Sequence, residues 1–365
     1  MMRKQTFLFL VAMFLSLPIF AGNQKVIGYY AGWTGLPVSE VQISKMTHIN
    51  YAFANIVDGV PKFMLEQDPR LIQELVLKRD AESPNTKLLF SIGGWVWSNH
   101  FSDIALTKAS RLKFAKGAVA LMKKYRFDGI DLDWEYPGQL GEDNKFRSED
   151  GDNFNLLLET IRKELDKDKK HYLLTIATGA DKAYTDNTTL GIAQKYLDFI
   201  NIMTYDMYGG FDHTTGHHAN LFDAEVRNGA KEISGVGAIQ RHLDEGVPAE
   251  KLVLGIPFYG RRWTKVSKEQ KDGLWASAEE VGYIYPYKKI VTECTKANGY
   301  KKYWDKKAKC PYLYNAEKNI FISYETPKSM KIKMRYVRKN NLGGVMFWEY
   351  SDDYKSVLLN TISEL

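Results

Sequence analysis

The sequence predicts an α/β fold of the (β/α)8 class, a TIM barrel, with a small α+β domain inserted between strand seven and helix seven. Three observations predict it. Eight apolar, β-branched or aromatic runs recur along 365 residues, with segments of helical character between them. The runs are mostly apolar on both faces, as buried parallel strands are. No Gly-rich phosphate turn follows the first run, which disfavours a doubly wound open sheet.

The runs begin at Lys25 (KVIGYYAG), His48 (HINYAFANI), Lys87 (KLLFSIGG) and Phe127 (FDGIDLDWE), then at Tyr172 (YLLTIATGA), Phe199 (FINIMTYDM), Leu252 (LVLGIPFYG) and Leu342 (LGGVMFWEY). Between them, LTKASRLKFAKGAVALMKKY from Leu106 and GDNFNLLLETIRKELDK from Gly151 read as helices, the second capped by Asp152 or Asn153. About sixty residues, Trp263–Ser323, separate the seventh run from the helical TPKSMKIKMRYVRKN before the eighth. A structureless loop of that length is improbable in a compact domain. Strand-like pieces and many tyrosines make it an inserted domain at the mouth of the barrel. The expected division is therefore a leader over 1–22, a barrel over 23–262 and 324–365, and an insertion over 263–323.

The leader is set aside from the fold. Arg3 and Lys4 precede an apolar run, Phe7–Phe20, and the small residues Ala21 and Gly22. This is a secretory signal pattern, and the run is short for a membrane span. No Cys follows it to carry a lipid, and no later segment is apolar for long enough to cross a bilayer. A secreted or periplasmic, monomeric protein is expected. Its loss takes the net charge from +6 to +4. That mild balance, read with no Lys/Arg cluster among aromatics, argues against a nucleic-acid partner. The two cysteines, Cys294 and Cys310, are free to pair in an oxidising compartment, and spacing does not decide whether they do.

The chemistry concentrates in FDGIDLDWEYPG, Phe127–Gly138. Side chains alternate along a strand, so Asp131, Asp133 and Glu135 share one face, with backbones ~7 Å apart, while Asp128 falls on the other parity as a structural support. Like charges in one poorly solvated site force at least one proton to stay, which suits Glu135 to act as a general acid. A calcium loop with D-x-D-x-D spacing would need Gly at the sixth position, where Tyr136 stands. Asp133 and Glu135 sit side by side and do not flank opposite faces of one sugar ring, so a nucleophile must come from another strand or from the substrate.

Asp128-x-x-Asp131-x-Asp133-x-Glu135 followed by YPG resembles the signature of family 18 glycoside hydrolases, the chitinase family. SIGGW (Ser91–Trp95), MTYD (Met203–Asp206), GIPFYGR (Gly255–Arg261) and GGVMFWEYSDD from Gly343 resemble the family's motifs on strands three, six, seven and eight. The likeness spans nearly all of the chain after the leader. It implies substrate-assisted catalysis, in which the N-acetyl oxygen of the sugar is the nucleophile. By the resemblance Glu135 is acid and then base, Asp133 orients the acetamido group, and Asp131 shares a proton with Asp133. Tyr205 and Asp206 hold the acetamido group from the far side, and Trp348 is the floor under the sugar. Tyr259, Arg261, Trp95, Met203 and Tyr29 line the cleft, with Gly93 and Gly94 in support. Trp33, Trp97 and Trp275 are further candidates for stacking on sugar.

His213, His217 and His218 share one loop, but no H-E-x-x-H spacing accompanies them, and no metal or organic cofactor is assigned. The expected activity is hydrolysis of chitin or chitooligosaccharides. The rivals are an endo-β-N-acetylglucosaminidase acting on N-glycans, a peptidoglycan hydrolase, and a chitinase-like lectin, which the retained Glu135 disfavours.

Overall fold

The computed structural model describes residues 24–225 and 233–364; the expected leader lies outside the described residues. Eight parallel strands close into a barrel: β1 Lys25–Ala31, β2 His48–Val57, β3 Lys87–Gly93, β4 Gly129–Asp133, β5 Leu173–Gly179, β6 Phe199–Met203, β7 Leu252–Pro257 and β8 Gly344–Trp348. β1 pairs with both β8 and β2, which completes the ring. A short strand, Val60–Phe63, turns back antiparallel on the end of β2 and was not expected from the runs.

Helices α1 Asp68–Glu82, α2 Lys108–Lys124, α3 Asp150–Leu165, α4 Gly235–Asp244 and α5 Pro327–Lys339 lie on the outside, with α6 Val357–Ser363 at the end. Outward-facing Ile, Leu, Val and Phe of the strands meet their apolar stripes in one continuous core. A smaller cluster, Ile27, Tyr29, Ala52, Phe199, Val253 and Met346, fills the barrel. The expected cap on α3 is corrected: the helix starts at Asp150, so Asp152 and Asn153 sit inside its first turn. The Asp150 carboxylate instead accepts from the Arg147 amide (2.7 Å) and the Ser102 hydroxyl (2.7 Å). Helix α5 has a reciprocal cap between Thr326 and Ser329, with Pro327 in its first turn where no N–H is missed.

The insertion is a five-stranded antiparallel sheet in the order Tyr283–Pro286, Tyr259–Trp263, Ile320–Ser323, Cys310–Asn315, Lys301–Asp305. Its strand Tyr259–Trp263 follows β7 after one residue, so the sheet reaches back across the expected boundary at 263. Alternation splits that sheet. Leu313, Ile320 and Ile322 join the main core, while Tyr312, Tyr314 and Phe321 join Trp263 and Trp275 in a separate cluster. Trp275 is core and not a sugar platform. Cys294 and Cys310 are buried and unpaired.

Candidate active site

Parity and register bring the carboxylates together. Asp131 lies across from Ser91 on β3 and Thr175 on β5, all pointing into the barrel. Its carboxylate accepts hydrogen bonds from Tyr29 (2.7 Å), Ser91 (2.7 Å), Thr175 (2.5 Å) and Asn201 (3.5 Å). Exposure rises along the stack toward the mouth, from 0% at Asp131 through 4% at Asp133 to 8% at Glu135. Trp134, between the last two, points outward and stacks on Phe101 (5.3 Å) against Phe154.

Burial raises the pKa of Asp131, and its hydrogen-bond donors only partly offset this. Burial, then the charges of Glu135 and Asp131, hold Asp133 well above the carboxylate range. Its Oδ1 is buried without a hydrogen-bond partner among the described residues. Burial pushes Glu135 up to about 7, and the charge of Asp206 adds to it, while a hydrogen bond to Tyr136 opposes. Burial and mutual repulsion therefore favour the protonated forms in the stack, as its crowding predicts.

The backbone of Glu135 is fixed from two loops. Its amide donates to Ser98 Oγ (2.8 Å), which itself donates to the Asp133 carbonyl (3.0 Å), and its carbonyl accepts from Asn144 (3.1 Å). Gly93 and Gly94 have positive φ; a Cβ on Gly93 would meet the Asp133 carbonyl oxygen at 2.4 Å, and one on Gly94 the Phe53 ring at 2.6 Å. The two glycines let β3 turn away at the mouth without displacing β4.

Asp206 faces the stack from the end of β6. Arg261 clamps both of its oxygens, Nε to Oδ1 at 2.7 Å and Nη2 to Oδ2 at 2.6 Å. Burial works against its charge, but His218 and Arg261 outweigh that and hold its pKa well below the usual range. Buried Tyr259 packs between Tyr205 (6.2 Å) and His218 (5.4 Å) behind it. Tyr205 donates to a weak acceptor, Met346 Sδ at 3.7 Å, and Met203 lies beside it in the barrel cluster. Trp348 lies at the end of β8 in contact with Tyr29 (5.5 Å), Phe53 (5.4 Å) and exposed Trp33 (6.1 Å). On the other side, Trp95 donates to Glu142 (2.9 Å) and lies 5.9 Å from the ring of exposed Phe211. Trp97 ends a short helical turn beside it.

Asp128 is separate, at the opposite end of β4, where Arg79 (2.7 Å) and Lys170 (3.0 Å) pair with it. The histidines scatter into different partnerships: His213 with the Ala278 carbonyl (3.3 Å), His217 with Asp305 (3.1 Å), His218 with Asp206 (3.7 Å). Sequence reasoning missed Tyr136, Ser98, Asn144, Tyr184, whose ring lies 5.9 Å from Tyr136, and the part played by His218. Ser91 and Thr175 carried a signal: each is a hydroxyl on the inward parity of an otherwise apolar strand.

The sequence pattern of glycosyl hydrolases family 18 matches residues 25–353. The chain belongs to glycosyl hydrolases family 18. It is 36% identical to Chitinase A1 of Niallia circulans over 94% of this chain and 58% of that one. It is 36% identical to Chitinase 1 of Aphanocladium album, over 90% of this chain and 81% of that one. The chain thus spans under two thirds of the Niallia protein. A solved family 18 N-acetylglucosaminidase from Paenibacillus barengoltzii superposes with a TM-score of 0.87 at 38% identity, over 94% of this chain and 99% of that one. Chitinase ChiA74 from Bacillus thuringiensis gives a TM-score of 0.88 at 34% identity, over 94% and 69%.

Proposed function

We propose that the protein hydrolyses β-1,4-linked N-acetylglucosamine polymers, chitin or its oligosaccharides, with retention of configuration and with the substrate's acetamido oxygen as nucleophile. The observation that carries it is Glu135, buried with its pKa lifted to about 7, facing a carboxylate that is already engaged. Asp206 is the facing carboxylate whose charge reaches Glu135, and both of its oxygens are held by Arg261. A carboxylate so clamped is a poor nucleophile.

Asp133 Oδ1 lacks a donor, and burying an unsatisfied acceptor is costly. An acetamido N–H supplies that donor, and the Tyr205 hydroxyl supplies a bond to the same group. Glu135 then gives its proton to the glycosidic oxygen as the acetamido oxygen attacks the anomeric carbon from the other face. A cyclic oxazolinium forms, the leaving sugar departs, and Glu135 takes a proton from the water that opens the ring. Trp348 stacks under the reacting ring.

The similarity to a family 18 N-acetylglucosaminidase along nearly that protein's full length supports a second reading, release of single N-acetylglucosamine units from chain ends. Product profiles from chitohexaose separate the two: early disaccharides and trisaccharides for internal or chitobiose-releasing cleavage, monosaccharide together with the pentasaccharide it leaves behind for the second reading. Parallel incubations with high-mannose glycopeptide and with peptidoglycan test the remaining glycan classes. Fully deacetylated chains should bind and resist cleavage, and a thiazoline mimic of the cyclised intermediate should bind far more tightly than the parent sugar. Comparable rates on acetylated and deacetylated chains, or a covalent sugar adduct on any Asp or Glu, would refute substrate assistance.

A further inference from the structure

Positive charge is segregated in this molecule. Residues 301–339 hold twelve Lys and Arg against three Asp and Glu, a balance of +9 in a chain whose total is +6, so the other 326 residues together are negative. Two of the three acids are spent on buried partners: Glu325 pairs with Lys333, and Asp305 accepts from His217 (3.1 Å) and from the Lys307 amide (2.8 Å). The cations that remain are exposed, and Lys301, Lys302, Lys306, Lys307, Lys309, Lys328, Lys331, Arg335, Arg338 and Lys339 form no ion pair among the described residues. Elsewhere on the surface, by contrast, Lys78, Lys163 and Lys182 pair within their own helices.

Five of these cations, Lys302, Lys328, Lys331, Arg335 and Arg338, form one surface. Lys328, Lys331, Arg335 and Arg338 follow at steps of three and four, so they make one stripe along α5, where like charges at such spacing repel. The stripe continues onto the insertion. Lys328 Nζ sits 3.7 Å from the Trp304 ring centroid, and Lys302 shares the Trp304 face of the sheet's edge strand. A groove of about 350 Å³ runs along the helix, lined by Pro327, Lys328, Lys331, Ile332 and Arg335. The expectation that no Lys/Arg cluster stands among aromatics is thereby corrected.

We infer that this flank binds an anionic polysaccharide, a polymer distinct from the neutral N-acetylglucosamine chain proposed for the cleft. Its cations match carboxylate or sulfate groups repeated along a chain, and Pro327 and Ile332 offer the groove an apolar floor for a sugar ring. A bilayer would call for apolar anchors, and none of the exposed large apolar side chains falls within 301–339. A single-stranded nucleic acid would need open stacking rings. Here Tyr303 is stacked on Tyr312 (5.1 Å) and Trp304 lies under Lys328. The flank therefore holds the enzyme on a charged matrix, while the cleft works at the mouth of the barrel.

The test uses the whole protein with polygalacturonate and dextran sulfate as probes, beside neutral dextran, vesicles containing phosphatidylglycerol and a 20-base-pair DNA duplex. Binding to the two anionic polysaccharides should weaken steeply with salt, as counterion release requires. The quadruple variant K302E/K328E/K331E/R335E should raise Kd for polygalacturonate at least tenfold at low salt, with turnover of soluble chitooligosaccharide unchanged. The variant with Lys302, Lys328 and Lys331 changed to Arg should keep wild-type affinity, which separates charge from fold. Equal affinity of wild type and quadruple variant overturns the proposal. So does tighter binding to the vesicles or the duplex than to polygalacturonate at matched anionic charge.

Discussion

In the proposed reaction Glu135 holds a proton at neutral pH and recovers one in the second half. Burial achieves the first by lifting its pKa from 4.5 to about 7, with Asp206 adding to the shift. Turnover should fall as the pH rises past about 7 and the acid is lost. Glu135→Gln should keep oligosaccharide affinity and lose roughly 10²–10⁴-fold in kcat, the range for general acid–base help, and activity within a few-fold of wild type would remove Glu135 from this role. Stability carries the same signature. A carboxyl whose pKa rises on folding stabilises the fold fully below its unfolded value of 4.5, and that contribution drains away as the pH passes through about 7. Denaturant midpoints of the Gln variant should therefore decline less between pH 4.5 and 7.5 than those of wild type. Asp133 lies against the charges of both Glu135 and Asp131, so Asn variants at 131 and 133 should each lower kcat and move the acid limb of the rate profile. An acid limb unmoved in both variants would refute proton sharing.

At the scale of elements, α5 is held at its N-terminus by a buried charge pair. Lys333 and Glu325 are 3% and 1% exposed, and Lys333 also donates to the Ala219 carbonyl (2.7 Å), in the loop that brings His218 to Asp206. Lys333→Met leaves a buried carboxylate without its cation and should cost about 3–5 kcal/mol in denaturant unfolding. Adding Glu325→Leu should return much of that loss, since an apolar pair has no charge to desolvate; a double variant as unstable as the single one would show that the pair itself stabilises. This contact also marks where the sequence stops being legible. The eight barrel strands could be read because burial on both faces leaves continuous apolar runs, and Asp131, Asp133 and Glu135 because a period of two fixes their face. Ser98, Asn144 and His218 reach the site from loops, and Tyr184 from the short helix Lys182–Asp186; their approach depends on how distant elements pack, and no local periodicity encodes that. The hairpin strand Val60–Phe63 was hidden for a related reason: with four residues and an internal proline, Pro61, it reads as turn. The basic stripe on α5 was visible as spacing, but its isolation from acidic partners was not.

For the whole molecule, the question is whether barrel and insertion unfold together. The insertion sheet has no sealed core of its own. Its inward face, with Leu313, Ile320, Ile322 and Tyr324, belongs to the same apolar cluster as the barrel's outer layer. Its outer cluster in turn takes in Tyr208, from the loop after β6, packed at 5.3 Å on Trp275. The strand Tyr259–Trp263 runs almost without a break from β7, and Arg261 on it clamps Asp206 at the site. Separating the two bodies would expose both faces of the sheet and dismantle the clamp, so partial unfolding is expensive. We expect one calorimetric transition, with far-UV and tryptophan signals that coincide, although chains of this length often unfold in steps. Trp275→Ala, which opens a cavity in the outer cluster, should cost about 3–5 kcal/mol. It should lower that single transition as a unit and weaken oligosaccharide cleavage through the wall it supports. Two resolved transitions, with only the lower one moved by Trp275→Ala, would mean that the insertion folds as a separate domain and that the shared strand transmits no cooperativity.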